Sequence, residues 1–180
     1  MPFCERIGIF LEGNDDKRFF EKILESFFNS KFPNYIFHKI RHSEKADDKI
    51  IQYINSFKEE ECKVIFFKDY DKSPCYTEIL ERTIQCFEQL EQNEIFIVRK
   101  SIEGWYLAGV NETFLRDKGV NEHFEDTENI SKHRFKALFP RGTTISTLMI
   151  EILEDYDIRT AIEKNSSLKR LVEKFEFDID

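Results

Sequence analysis

Four short apolar runs, separated by longer helical patterns, limit what this chain can fold into. They are Ile7 to Leu11 (IGIFL), residues 35 to 40 (YIFHKI), residues 64 to 67 (VIFF) and Glu94 to Val98 (EIFIV). The first is followed by DDKRFFEKILESFFNS, where Phe19, Phe20, Ile23, Leu24, Phe27 and Phe28 recur at helical spacing. That spacing is the stripe of a buried helix face, so these rings are core and not a base-stacking platform. YIFHKI alternates like a strand with one wetter face, and ADDKIIQYINSF carries a helical stripe of Ile50, Ile51, Ile54 and Phe57. VIFF is apolar throughout, as a central strand covered on both faces must be. Ser73-Pro74 reads as a helix start, with the helix running through EILERTIQCFEQL, and SIEGWYLAG turns into a short helix after the fourth strand. Such alternation predicts a parallel four-stranded sheet with right-handed crossovers, flanked by helices.

From about residue 111 the pattern changes. TLMIEILEDY, DIRTAIEKN and SSLKRLVEKF read as short helices with no further strand. The expected organisation is an α/β core over 1–110 and an α-helical extension over 111–180, packed on the core. The hydrophobic content of 41%, with 19 Phe, supplies a sizeable aromatic core.

The acids fall in a pattern on this frame. Ligands of open parallel sheets sit outside the carboxyl ends of the strands. Glu12 ends the first strand, Asp69 and Asp71 follow the third, and Ser101 and Glu103 follow the fourth. Carboxylates delivered to one edge repel one another unless a counter-ion sits among them, and oxygen-only ligands suit Mg²⁺ or Mn²⁺. Glu12, Asp69, Asp71 and Glu103 form a candidate set for one ion, or for two about 4 Å apart with room for water and phosphate oxygens. Asp15 is read as a helix-start residue that complements the helix dipole. Asp16 has two readings, a cap of the same helix or a further ligand four residues past Glu12.

These residues resemble the TOPRIM domain of primases, topoisomerases and recombination-repair proteins. More specifically, Glu12 with Asp16, then Asp69 and Asp71, then Ser101-Ile102-Glu103 looks like the pattern of the OLD-type (overcoming lysogenization defect) nucleases. The resemblance covers about residues 5 to 110. It implies a TOPRIM-like, Rossmann-like fold and two-metal hydrolysis of DNA or RNA. Glu12 would be metal ligand or general base, Asp69 and Asp71 metal ligands, and Ser101 and Glu103 the second metal site, supported by Asp16. It also implies a lysine from a C-terminal helix, for which Lys132 and Lys136 are candidates by position. The chain has no Walker A motif. The implied protein is therefore free-standing, of the kind found in phage defence and mobile elements, with a separate ATPase as a possible partner protein.

The chemistry so implied uses metal ions to take up phosphate oxygens, activate a water and stabilise the leaving oxygen. A net charge of −8 excludes a protein coated in basic surface, so phosphate contacts must be local. Lys72 and Lys100 flank the acids as phosphate neighbours, while Arg99 and Lys68 read as charge balance. Lys132 to Arg141 is a basic cluster that is either a phosphate contact or a solvated helix face. Trp105 is expected on the apolar face of its short helix, and His38 and His42 are left without a role. Other readings are a HAD-type phosphatase or a receiver-like phosphoaspartate module, each centred on Asp69, and a non-catalytic TOPRIM-like interaction subunit.

The four cysteines (Cys4, Cys62, Cys75, Cys86) form no CxxC pair, and Cys62 and Cys86 read as small core residues. The expectation is a reducing, cytoplasmic compartment. No signal-peptide pattern opens the sequence, and no stretch approaches the length of a membrane span.

Overall fold

The computed structural model describes residues 5–70 and 75–179. Four parallel strands form one sheet: β1 (Arg6–Leu11), β2 (Ile36–Arg41), β3 (Lys63–Asp69) and β4 (Ile95–Val98), in the order β2-β1-β3-β4. The chain leaves β1 toward β2, then returns across β1 to β3. The strand order therefore reverses between β1 and β3, and the crevice of this Rossmann-like sheet opens there.

The crossovers cover both faces. Between β1 and β2, α1 (Asn14–Phe19) passes through a π turn (Phe20–Leu24) into α2 (Glu25–Lys31). Helices α3 (Asp47–Glu59) and α4 (Tyr76–Cys86) cover the opposite face. Because side chains alternate along a strand, Ile7, Ile9, Leu11, Ile65 and Phe67 enter the core under α1. Phe10, Val64, Phe66, Ile95 and Ile97 enter the core under α3 and α4. Val64 to Phe67 are all buried, as their unbroken apolar run required. β2 is an edge strand, and Ile36 at its start is exposed.

After β4 come α5 (Ile102–Ala108), α6 (Glu112–Asp117), α7 (Lys132–Leu138), α8 (Ile145–Ile152), α9 (Ile158–Lys164) and α10 (Ser166–Phe175). Leu115, Phe135, Leu148, Met149, Ala161 and Leu168 join the same hydrophobic cluster as Ile7 and Ile9. Helix α5 is buried along its whole length. Trp105 donates its indole N–H to Ser167 Oγ at 2.7 Å, Ser167 Oγ donates to Asn165 Oδ1, and Asn165 Nδ2 donates to Thr127 Oγ1. Tyr156 O–H donates to the Trp105 carbonyl at 2.6 Å. Trp105 is thus a core residue, as its helical spacing implied. The network clamps the helix that carries Glu103.

Gly104 shows how tight that clamp is. A Cβ there would lie 2.7 Å from the Thr127 carbonyl oxygen, a backbone atom that cannot swing away. Gly104→Ala is expected to lower stability by about 1–3 kcal/mol through overpacking, measured by chemical denaturation.

Three expectations are corrected. Helix α4 ends at Cys86, before the Phe87 to Leu90 part of the apolar pattern; Phe87 and Leu90 leave the helix yet stay buried. Cys86 is exposed at that helix end and not a core residue. Cys62 is buried at the foot of β3, as its position implied, but it is joined in a disulfide, which a reading of reduced thiols did not include. Among the described residues no helix is long and apolar enough to cross a membrane.

Candidate functional site

The carboxyl edge of the sheet is built from the residues just past each strand. Glu12 follows β1 and its Oε2 accepts from the Asp69 backbone N–H at 3.0 Å. The same oxygen takes Lys68 Nζ at 3.1 Å. Glu12 therefore bridges the β1–β3 crevice, with Lys68 as its counter-charge. Both bonds fall on Oε2, which leaves Oε1 as the oxygen available to a cation.

Asp16 stands on α1, 7% exposed. Its Oδ2 accepts from the Gly13 backbone N–H at 3.1 Å, so it caps the helix start. It also lies within the field of Glu12 and Glu103. Burial first, then repulsion from Glu12, pushes its carboxyl up to about 7. The capping reading of Asp16 is met by one oxygen, and the group also feels the Glu12 and Glu103 charges. Gly13 is extended (φ −146°), and a Cβ there would meet only Asp16 Oδ2 at 3.7 Å. The backbone does not require glycine at that turn. The missing side chain leaves open space beside Asp16.

Asp69 is buried at the end of β3, and the strand pairing continues past it through a Tyr70 N–H to Val98 carbonyl bond at 2.9 Å. From β4 the chain turns sharply. Ser101 N–H donates to the Arg99 carbonyl at 2.9 Å, and Lys100 between them has φ 62°. A non-glycine residue in that region stores backbone strain and marks a constrained turn. The turn delivers Ser101 and Glu103, both 4% exposed, beneath the strand ends. Burial is the largest influence on Glu103 and raises its carboxyl; the Ser101 hydroxyl and the charge of Lys132 pull it back down. Ser101 Oγ also reaches the Ile130 carbonyl at 3.1 Å. With a single hydroxyl proton it donates to one of these at a time.

Lys132 opens α7, which packs against α5, and its charge acts on Glu103. Lys136, one turn on, is exposed. Asp15, by contrast, is bound to Arg18 at 2.6 Å, and its carbonyl takes the Tyr106 hydroxyl. Asp71 and Lys72 lie outside the described residues. His38 is exposed, whereas His42 is buried at the crevice. The His42 Nε2 sits 2.9 Å from the Phe67 carbonyl, which can only accept, so the ring proton is on Nε2. Burial lowers its basicity and keeps the ring neutral at pH 7.

Sequence reasoning missed His42 as a wall of the crevice and Lys68 as the partner of Glu12 beyond charge balance. The signal for Lys68 was there, since it alternates with Asp69 at a strand end.

The donors are carboxylate and hydroxyl oxygens, the type that hard divalent cations prefer. Among the described residues no three Asp, Glu, His or Cys side chains close around one point. The set fits a divalent cation in type and charge without forming a finished cage. No protein-family model, curated protein or solved structure matches this chain. The class defined by fold and site is a Rossmann-like α/β protein with a carboxylate-lined crevice at its strand-order reversal.

Proposed function

We propose that the protein is a TOPRIM-like, OLD-type nuclease that hydrolyses phosphodiesters of nucleic acid with Mg²⁺ or Mn²⁺. The observation that carries this reading is Glu12 tied to the Asp69 N–H across the crevice, beside a buried Asp16 whose proton affinity is raised by burial first and then by Glu12 and Glu103. Lys68 offsets Glu12 and Lys132 offsets Glu103. Glu12 and Glu103, the charges that raise Asp16, are both negative, so a proton serves as its counter-charge when no cation is bound.

A bound divalent cation supplies positive charge to phosphate oxygens and to an attacking water. Glu12, Asp16, Asp69 and Glu103 are the described residues that would hold it; Asp71, which the resemblance adds to the set, lies outside the described residues. Glu12 keeps one oxygen for the cation while Lys68 and the Asp69 N–H fix its orientation. Lys132 stands ready to face the charge that develops on the scissile phosphate. The neutral His42 ring adds no charge to the crevice. Asp15 is committed to Arg18, which counts against a receiver-like pair of Asp15 and Asp16.

The test is cleavage of labelled DNA and RNA under Mg²⁺ or Mn²⁺. Metal-dependent cutting that disappears in Asp69→Asn supports the reading; cutting unchanged by that substitution contradicts it. The two candidate lysines separate in the same assay. Lys132→Ala is expected to slow cleavage by about a hundred-fold, the low end for a lost transition-state contact. Lys136→Ala is expected to cut as the parent does.

A further inference from the structure

Beside the carboxyl edge, a pocket of about 270 Å³ opens between β4 and α10. Tyr70, Tyr76, Arg99, Lys100, Asn129 and Arg170 line it. A longer groove of about 580 Å³ continues along the β4 edge and shares Tyr76, Ile97 and Arg170 with it. Lys174, whose Nζ donates to the Asn93 carbonyl at 2.6 Å, lines that second part. Three features define the chemistry of this surface. It is basic on a chain of net charge −8. Among the described lining residues its acids are Glu128, paired with Arg99 at 2.9 Å, and Glu91 at the far end. Of its aromatic rings Tyr76 is the exposed one, at 42%, with the Arg170 guanidinium 5.7 Å from the ring centre. An exposed ring with a guanidinium beside it is a platform for a flat partner.

The position matters as much as the chemistry. Tyr70 directly follows Asp69, and Lys100 directly precedes Ser101, so the pocket adjoins the carboxylate crevice. We propose that this groove holds a single-stranded segment of nucleic acid, with a base stacked on Tyr76 and phosphates against Arg170 and Lys100. The strand then enters the crevice beside Asp69. A duplex has its bases stacked inside and offers no free face to the tyrosine, so the groove selects unpaired strands. The inference rests on the nuclease reading for the chemistry at the crevice, but binding itself does not require cleavage.

The experiment measures binding of a fluorescein-labelled 12-nucleotide oligo-dT by anisotropy, with EDTA present so that no cutting occurs. Oligo-U and a 12-base-pair duplex are run beside it. Single strands are expected to bind, and the duplex at least about five-fold more weakly. Tyr76→Ala and Arg170→Glu are each expected to weaken binding by at least about five-fold, the lower end for loss of one stacked base. Lys169→Glu is the control. It makes the same charge change one residue away, but Lys169 lines a different, acidic groove with Glu125 and Asp126. It is expected to retain most of the affinity. Equal loss in Arg170→Glu and Lys169→Glu overturns the proposal, because net charge alone then explains it. Parent-like binding by Tyr76→Ala, equal binding of duplex and single strand, or displacement of the oligonucleotide by a polyglutamate peptide also overturns it. Groove-dependent binding in a protein that cuts nothing under Mg²⁺ or Mn²⁺ leaves the groove standing and removes the nuclease reading.

Discussion

Glu12→Gln is expected to abolish divalent-dependent cleavage, with a loss of at least about a hundred-fold to a thousand-fold, the range for removing one precisely placed transition-state group. The reason lies in how Glu12 is held. Its Oε2 ties the end of β1 to the Asp69 N–H and to Lys68 across the crevice. The amide oxygen of glutamine keeps both contacts and the side-chain length. What it removes is the negative charge that a cation and an attacking water need beside them. The fold is expected to survive, because the Asp69 contact is retained. Unchanged denaturation midpoints with lost cleavage separate a chemical role from a structural one.

Asp16→Asn is expected to stabilise the metal-free protein, against the usual direction for substitutions at a buried polar site. Asp16 is 7% exposed and its carboxyl is raised from 3.8 to about 7, by burial first and then by Glu12. A native carboxyl raised above its unfolded value favours the folded state below the unfolded value. That advantage is lost as pH rises through the native one. Native Asp16 is thus protonated and neutral near pH 4. Ionising it costs stability progressively from about pH 4 to about pH 7. At about 1.4 kcal/mol per unit, the interval from 3.8 to about 7 corresponds to a cost on the order of 4 kcal/mol above pH 7. Asparagine keeps an oxygen for the Gly13 N–H and carries no charge. Denaturant unfolding in EDTA should show Asp16→Asn and parent alike near pH 4. The variant should be more stable by a few kcal/mol near pH 8. Adding Mg²⁺ or Mn²⁺ at pH 8 should stabilise the parent and close the gap. Equal stability at both pH values contradicts this account of the crevice.

The sheet was legible because its signal is short-range and strong. VIFF has nowhere to go but the middle of a covered sheet, and β3 lies between β1 and β4 with both faces buried. The acidic edge was legible by one further rule, that parallel strands present their carboxyl ends to ligands. That rule singled out Glu12, Asp69 and Glu103; the fold ties Glu12 to the Asp69 N–H and sets Glu12 and Glu103 in the field of Asp16, while among the described residues no three such side chains close around one point. The short helices α6 and α7 were less readable, since six or seven residues hold too few turns to set a period. The clamp around Trp105 was not readable, because it joins α5 to Thr127, Asn165 and Ser167 through hydrogen bonds that leave no periodic trace. Asn165 did leave a local sign, an asparagine just before a helical run, and it caps α10 through the Leu168 N–H. The basic groove escaped for the same reason of distance. Tyr76, Arg99 and Arg170 come from α4, the β4 turn and α10, and only the closed fold brings them together.

The central claim is that the crevice carboxylates hold a divalent cation where a proton otherwise sits on Asp16. Calorimetric titration of Mn²⁺ at pH 6.5, repeated in buffers of different ionisation enthalpy, tests it most directly. The account predicts saturable binding with release of a proton to the buffer. Asp16→Asn should lose the proton release, and Glu12→Gln should lose most of the affinity. Absence of saturable binding, or binding with the same affinity and proton release in parent and both variants, contradicts it.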